Sequence, residues 1–188
     1  MQLRIVVQVC SYSLLALTCV GRSSGDSSSV FLLKDDTNHQ WCAYASKAAW
    51  QSRVDDITAR TVAGAEYDDG QLVKLDVSEN DESGDWLVSD HYTVDREKRL
   101  VQLQRSIEVI PDRAIKEERY SIKNGRLTKD SSVVRSMSNN EIVAAPDLST
   151  PSLRVATRVS DFGFASLIGD RKHLEEVLNA GSKCIQAK

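Results

Sequence analysis

The sequence lacks a strong charge of either sign and the motifs that mark common enzyme classes. It has 24 Lys and Arg against 27 Asp and Glu, and its formal net charge of -3 with no basic block argues against a nucleic-acid partner. It contains no G-x-S-x-G, no H-E-x-x-H and no glycosylation sequon. We therefore predict a protein that is not an enzyme and needs no cofactor.

Residues that could bind a metal are also few and scattered. The three histidines, His39, His91 and His173, lie far apart, and no cysteine pairs repeat at the spacing of a zinc site. No metal site is expected.

Long apolar runs are missing as well. The chain begins MQLRIVVQVCSYSLLALTCV, and this stretch carries one positive charge and then an apolar run that Gln8 and Ser11 interrupt. This pattern predicts a signal peptide at 1–22, followed by a Ser-rich flexible leader at 23–36 and a single globular domain at 37–188. A retained membrane anchor and lipid attachment at Cys19 are the alternatives, and the residues before that cysteine suit lipid attachment poorly.

Removal of the signal peptide leaves only two of the four cysteines, Cys42 and Cys184. In an oxidising compartment such a pair forms a disulfide. We predict this disulfide, with two free thiols as the alternative, and a secreted or periplasmic protein with no transmembrane span in the mature chain.

What is present is a two-residue alternation of apolar and polar side chains from about residue 58. Turn signals such as Asp-Asp-Gly at 68 and Asn-Gly at 124 separate the alternating runs. The pattern predicts an α+β fold built on a six-stranded antiparallel meander, with one face covered by an N-terminal and a C-terminal helix. The strands are expected near 59–67, 71–79, 84–94, 99–110, 113–123 and 126–134.

The two covering helices are read from helical spacing. Trp50, Val54 and Ile57 predict a helix within 40–56, and a short strand around WCAYAS is the competing interpretation. The terminal helix is expected to begin after Asp170 and to end at Gly181, with an apolar stripe of Leu174, Val177 and Leu178. Residues 153–168 are expected to add one or two strands.

The apolar row of one predicted strand is broken by a charge. In VQLQRSIEV, residues 101–109, Arg105 falls on the same side as Leu103 and Ile107. Two-residue turns between the strands set Arg105 opposite Glu118, with Asp90 as its diagonal neighbour on the other side. The same rule sets Leu103 against Tyr120, Ile122 against Leu127, Tyr92 against Val101, and Leu75 against Val88.

A buried guanidinium is tolerable only beside acids, so Arg105 has a local explanation. One interpretation is a purely structural ionic network. The functional interpretation is the polar floor of a ligand pocket, since a covered, curved sheet leaves a mostly apolar cavity with few polar groups. The predicted ligand-binding residues are Asp90, Arg105 and Glu118 at the floor and Trp86, Tyr92 and Tyr120 in the walls, with Val88 and Leu103 beside them.

One short stretch, VSDFGFASLI at 159–168, resembles the metal-binding Asp-Phe-Gly segment of protein kinases, which would give Asp161 the role of magnesium ligand. No kinase catalytic loop or glycine-rich phosphate loop accompanies it. We interpret the stretch as a bend at Gly163 with Phe162 and Phe164 packing on the core.

The leading hypothesis is an exported binding protein that holds an amphipathic small molecule over the sheet. The first alternative is a protein–protein interaction module, such as an inhibitor or a matrix or envelope component, that uses an exposed sheet face or edge, with an apolar patch or open edge near Leu87 and Leu100. The second is a hydrolase that uses acidic residues.

Overall fold

The computed structural model describes residues 28–56, 59–81, 83–143 and 155–187 of the 188-residue chain. The predicted signal peptide and residues 23–27 of the predicted leader lie outside these ranges. The elements, in chain order, are β1 (Ser28–Asp35), β2 (Gln40–Tyr44), α1 (Lys47–Asp56), β3 (Thr61–Asp68), β4 (Gln71–Asn80), β5 (Trp86–Val94), β6 (Leu100–Val109), β7 (Ala114–Lys123), β8 (Arg126–Ser136), α2 (Ala165–Gly169), α3 (Arg171–Ala180) and β9 (Ser182–Gln186).

The strands form one antiparallel sheet in the order β8-β7-β6-β5-β4-β3-β1-β2-β9. The predicted meander is present as β3 to β8, so an antiparallel α+β fold is confirmed. The strand count of six is wrong, because the described residues already form a sheet of nine strands. The three additional strands come from the two ends of the described chain.

The assignment of 23–36 to a flexible leader is wrong for residues 28–35, which form β1 between β2 and β3. Val30 and Leu32 are completely buried on one face of the sheet, and Leu33 is buried on the other. A strand covered on both faces carries a continuous apolar run instead of an alternating one. The run VFLL, residues 30–33, therefore shows no two-residue alternation that would have indicated a strand.

Residues 40–56 form a strand followed by a helix, so the competing interpretation of WCAYAS as a strand is correct for β2. The helix prediction holds only from residue 47 onward. Helix α1 packs Trp50 and Val54 against Leu33 and Tyr44. This contact lies on the opposite face from the main core, so the prediction that both helices cover one face is wrong.

The main face is covered by α2, α3 and the segment before them. Leu167 and Val177 are completely buried there against the sheet. The predicted ends of the terminal helix are confirmed: the Asp170 side chain accepts a hydrogen bond from the Lys172 backbone N–H, and Gly181 ends α3 with φ of +80°. Leu178, by contrast, is exposed.

Residues 155–164 cross the main face without forming the expected strands. A 3-10 turn spans Val159–Asp161, and the bend that follows packs Phe164 into the core. Gly163 passes so close to Trp41 that a Cβ atom on it would lie 2.8 Å from the indole Nε1. The interpretation of DFG as a bend with two packed phenylalanines is confirmed.

The predicted register is correct on one side of β6 and shifted on the other. Leu103 faces Tyr120 and Arg105 faces Glu118, as predicted, and Ile122 faces Leu127. Tyr92, however, lies opposite Leu103 instead of Val101, and Leu75 lies opposite Tyr92 instead of Val88. Both shifts are even, by two and by four residues, so the correct side chains still reach the core.

The structure contains the predicted disulfide between Cys42 and Cys184, which are directly opposite each other on β2 and β9. They are separated by 142 positions in the sequence. The bond fastens the last strand to the start of the fold, on the face that carries α1. Within the described ranges, no helix is both long and apolar enough to cross a membrane.

Candidate functional site

Arg105 lies in the middle of β6 with its side chain on the main face. Its neighbours on that face, Leu103 and Ile107, are buried, and Arg105 itself is only 6% exposed. A charged group held among apolar side chains needs charged or polar partners to offset the loss of water.

The principal partner is Asp90, which the register of β5 and β6 places directly opposite. Arg105 Nε donates to Asp90 Oδ1 at 2.7 Å, and Nη2 donates to Oδ2 at 2.7 Å. This two-bond pairing matches the planar fork of the guanidinium to the carboxylate. Burial lowers the pKa of Arg105, but the hydrogen bonds and charge of Asp90 outweigh it and raise the pKa above the ordinary value.

Tyr92 completes this group. Its hydroxyl donates to Asp90 Oδ2 at 3.2 Å, so the same carboxylate serves both the guanidinium and the phenol. Burial, followed by the negative charge of Asp90, raises the pKa of Tyr92 well above its ordinary value. This shift favours the protonated phenol, the form that donates the hydrogen bond to Asp90.

Glu118 belongs to a separate ionic group. Its Oε1 accepts a hydrogen bond from Lys129 Nζ at 2.6 Å and lies 3.1 Å from Lys116 Nζ, and its Oε2 accepts from the Tyr120 hydroxyl at 2.6 Å. Burial raises the pKa of Glu118, but the hydrogen bonds from the two lysines and Tyr120 outweigh it and lower the pKa to about 2. Among the residues described, no ion pair joins Glu118 to Arg105, although the two are backbone neighbours.

The expected single cluster of one cation and two acids is thus divided into two. Lys116 lies two residues before Glu118 on β7, so the strand alternation places both side chains on the same face. The sequence did not indicate that Lys129 would also contact Glu118. Lys129 faces Tyr120 because β8 carries an irregularity opposite Arg119 and Tyr120. The two-residue alternation contains no signal for such a bulge.

The Asp90–Arg105 pair forms part of the wall of a pocket of about 370 Å³ on the main face. We call it the aromatic pocket. The aromatic residues that line it are Trp41, Tyr92, Phe162 and Phe164. The smaller apolar lining residues are Val77, Val88, Ala156 and Gly163, and the remaining polar ones are Thr61, Glu79 and Asp161. The size and the mixture are typical of small-molecule sites.

The aromatic rings of the pocket form a connected set. Phe162 lies edge-on to Tyr92 with ring centroids 5.4 Å apart and stacks on Phe164 at 5.0 Å. Phe164 in turn meets Trp41 edge-on at 4.7 Å. Edge-on and offset contacts of this kind stabilise a fixed arrangement of the rings, which gives the pocket defined walls.

Trp41 adds an available donor. In the part of the chain that the structure describes, its indole N–H has no hydrogen-bond acceptor, although the residue is 6% exposed. Trp50 differs, because its indole N–H donates to the Leu32 carbonyl at 3.0 Å. The Trp41 Nε1 atom keeps accessible surface although most of the residue is buried, so a ligand atom in the aromatic pocket can accept its hydrogen bond.

The predicted site residues are therefore only partly brought together. Asp90, Arg105 and Tyr92 line the aromatic pocket, whereas Trp86 packs in a separate cluster with Val88, Ile107 and Val109. Glu118 and Tyr120 lie in their own ionic group. Trp41, Phe162 and Phe164 were not predicted as pocket walls.

The aromatic pocket presents hydrogen-bonding groups and aromatic rings. Both oxygens of Asp90 are engaged by Arg105 and Tyr92, so its carboxylate is held by fixed donors. Within the described residues, no group of three His, Cys, Asp or Glu side chains could hold a metal ion.

Comparisons of the chain with protein families, with curated proteins and with solved structures found no match. The function proposed below therefore rests on the geometry of the aromatic pocket.

Proposed function

We propose that the protein is an exported, non-enzymatic binding protein that holds an amphipathic small molecule in the aromatic pocket. The observation that carries the proposal is the buried Asp90–Arg105 pair beside the Trp41 N–H, for which the described residues supply no acceptor, in a cavity of about 370 Å³. Polar groups fixed among apolar walls give orientation and specificity to a small ligand.

The charges around the aromatic pocket favour a neutral or cationic polar end on the ligand, and of these only a neutral group such as a hydroxyl has a lone pair to accept the Trp41 N–H. Glu79, Asp90 and Asp161 contribute three carboxylates, and Arg105 is the sole cation among the described lining residues. This balance argues against the anionic head group that Arg105 alone would attract. The apolar part of the ligand would contact Phe162 and Phe164.

Export is supported by the Cys42–Cys184 disulfide, since such bonds persist mainly in oxidising compartments. The N-terminal sequence pattern supports it independently. The interaction-module alternative has lost one of its arguments, because Leu100 of its expected patch is only 1% exposed.

Three probes of matched size test the charge and location of the ligand: 2-phenylethylamine, 2-phenylethanol and phenylacetate. The full chain, labelled with ¹⁵N, is titrated with each, and the indole N–H resonances of Trp41 and Trp50 are followed. We expect the amine and the alcohol to shift the Trp41 resonance and leave Trp50 unchanged, with phenylacetate the weakest. Native mass spectrometry of protein purified from an oxidising compartment should also detect a retained small molecule.

A matched pair of substitutions completes the test. Trp41→Phe removes the N–H donor and should weaken binding of 2-phenylethanol, whereas Trp86→Phe, outside the aromatic pocket, should not. Equal effects of the two substitutions, or a Trp41 resonance that no probe shifts, would refute the proposal.

A further inference from the structure

A second cavity, of about 710 Å³, lies where β6 begins and β7 ends. We call it the basic cleft. Its floor is apolar, because Leu100 and Ile122 belong to the main core and Val159 packs beside them. Residues 157–160 form one wall, and the adjoining residues 161–164 line the aromatic pocket.

The charged side chains that line the basic cleft are all cations: Lys98, Arg99, Lys123 and Arg158. Among the described lining residues there is no carboxylate. This charge pattern is the opposite of that in the aromatic pocket.

Two of the cations already have partners. Arg99 Nη2 lies 2.8 Å from Asp95 Oδ2 and Nη1 lies 2.8 Å from Glu97 Oε2, while Lys98 Nζ donates to the Gly169 carbonyl at 3.2 Å. Lys123 and Arg158 make no ion pair within the described ranges. These two are therefore available to a bound anion.

The position of Arg158 is set by its backbone and by a close approach. The backbone N–H groups of Thr157 and Arg158 both donate to Asp161 Oδ2 at 3.0 Å, which fixes this turn. The Arg158 guanidinium extends over the turn between β7 and β8, where Nε lies 3.6 Å and Nη2 3.7 Å from the place of a Cβ on Gly125. Gly125, at φ of +71°, leaves the guanidinium room on this side of the cleft.

We propose that the basic cleft binds an anionic amphiphile, a carboxylate or phosphate ester with an apolar chain. Arg158 and Lys123 hold the anionic group, and Leu100, Ile122 and Val159 contact the chain. Guanidinium and ammonium groups pair with these anions through charge-assisted hydrogen bonds, and the cleft volume falls in the range of known ligand sites. The inference is independent of the function proposed for the aromatic pocket.

Octanoate, octyl phosphate and octanol test the inference, because they share one chain and differ in head group. Binding to the full chain is measured by calorimetry at low and high salt. We expect at least one of the two anions to bind about tenfold or more tightly than octanol, and its binding to weaken as salt rises. The tighter of the two anions identifies the head group.

Methyl resonances locate the bound chain. Shifts of Leu100, Ile122 and Val159 methyl groups are expected, without a matching shift of the Trp41 indole N–H. This readout separates the basic cleft from the aromatic pocket, so either site can fail without the other.

The decisive variants exchange exposed cations. Arg158→Gln and Lys123→Gln should each weaken anion binding, by roughly tenfold for Arg158, and Arg158→Lys should restore part of the loss. Arg119→Gln removes an exposed guanidinium from the opposite face of the sheet and serves as the control. All three side chains are on the surface, and a melting curve checks that each of the four variants is folded.

Equal binding of octanol and both anions would overturn the inference. So would the same affinity in the Arg158→Gln, Lys123→Gln and Arg119→Gln variants, or shifts confined to Trp41.

Discussion

At the scale of single residues, the charges buried on the main face are each balanced by a specific neighbour. Asp90 meets Arg105 through two hydrogen bonds, and Glu118 meets two lysines and Tyr120. Removing the cation of such a group leaves the buried carboxylate without its counter-charge. The cost of that state exceeds what the pair contributes over an apolar replacement.

The first prediction concerns the variant Arg105→Met. It leaves Asp90 without its cation, and we expect a loss of about 3 kcal/mol in the free energy of unfolding. Urea denaturation followed by tryptophan fluorescence measures the change. The double variant Asp90→Leu with Arg105→Met removes both charges and should recover most of the loss.

Arg119→Gln, on the solvent-exposed face, is the control and should alter stability little. A wild-type midpoint for Arg105→Met would contradict the assignment of Arg105 to a buried pair.

The second prediction is a pH dependence that originates at Glu118. Its folded pKa of about 2 lies below the ordinary 4.5, so the folded state favours the charged form. The stabilisation is present above about 4.5 and is lost as the pH falls toward 2. We expect Glu118→Gln to flatten the stability profile in this window.

Denaturation at a series of pH values measures this effect. Glu117→Gln, on the outer face of the same strand, supplies the comparison and should leave the acid limb steep. A Glu118→Gln profile as steep as that of the wild type would be inconsistent with the low pKa.

At the scale of elements, the two-residue alternation predicted six strands and which side chains of each strand face the core. It did not predict every pairing register between neighbouring strands. Apolar patterns have a period of two, so they specify a register only to within an even shift. The turn after β5 spans residues 95–99, held by Asp95, whose carboxylate accepts from the backbone of Glu97 and Arg99. The assumed two-residue turn is too short for this loop. The prediction therefore placed Asp90 diagonal to Arg105, whereas the two residues are directly opposite each other.

The aromatic pocket depends on side chains whose contacts cross long stretches of sequence. Trp41 on β2 meets Phe164 more than a hundred residues later. No local pattern relates such residues, which is why the sequence indicated the polar pair but not the walls around it. The same limit applies to Lys129, whose position follows from a bulge.

The third prediction concerns how closely the crossing segment packs on the sheet. Gly163→Ala places a methyl group 2.8 Å from Trp41 Nε1, so the indole or the segment must move. We expect a loss of about 1–3 kcal/mol in stability and a shifted Trp41 indole resonance. Gly64→Ala, in β3, has no atom within 4 Å of the added carbon and is the control.

Unfolding curves and the ¹⁵N–¹H spectrum measure both effects. If Gly163→Ala and Gly64→Ala behave alike, the segment does not approach Trp41 as closely as described.

At the scale of the whole molecule, the disulfide joins the two ends of the described fold. The loop it closes covers 142 positions, and in the chain-entropy account a loop of this length contributes about 5 kcal/mol. Apart from this bond, the strands are held together by backbone hydrogen bonds and apolar packing.

The fourth prediction is that reduction of the disulfide lowers the free energy of unfolding by up to about 5 kcal/mol and shifts the urea midpoint to a lower concentration. Urea denaturation with and without a thiol reductant measures the loss. The double variant Cys42→Ser with Cys184→Ser should match the reduced protein and be insensitive to the reductant. Identical curves for the oxidised and reduced chains would show that the bond is not formed in solution.

The outermost strands of the sheet have a consequence for self-association. β9 is only five residues long, and β8 exposes Lys129 and Asp130 along its first half while residues 141–143 cover part of the second. Short or charged borders discourage strands of another copy from adding on. We therefore expect these borders to oppose the addition of strands from other copies of the chain.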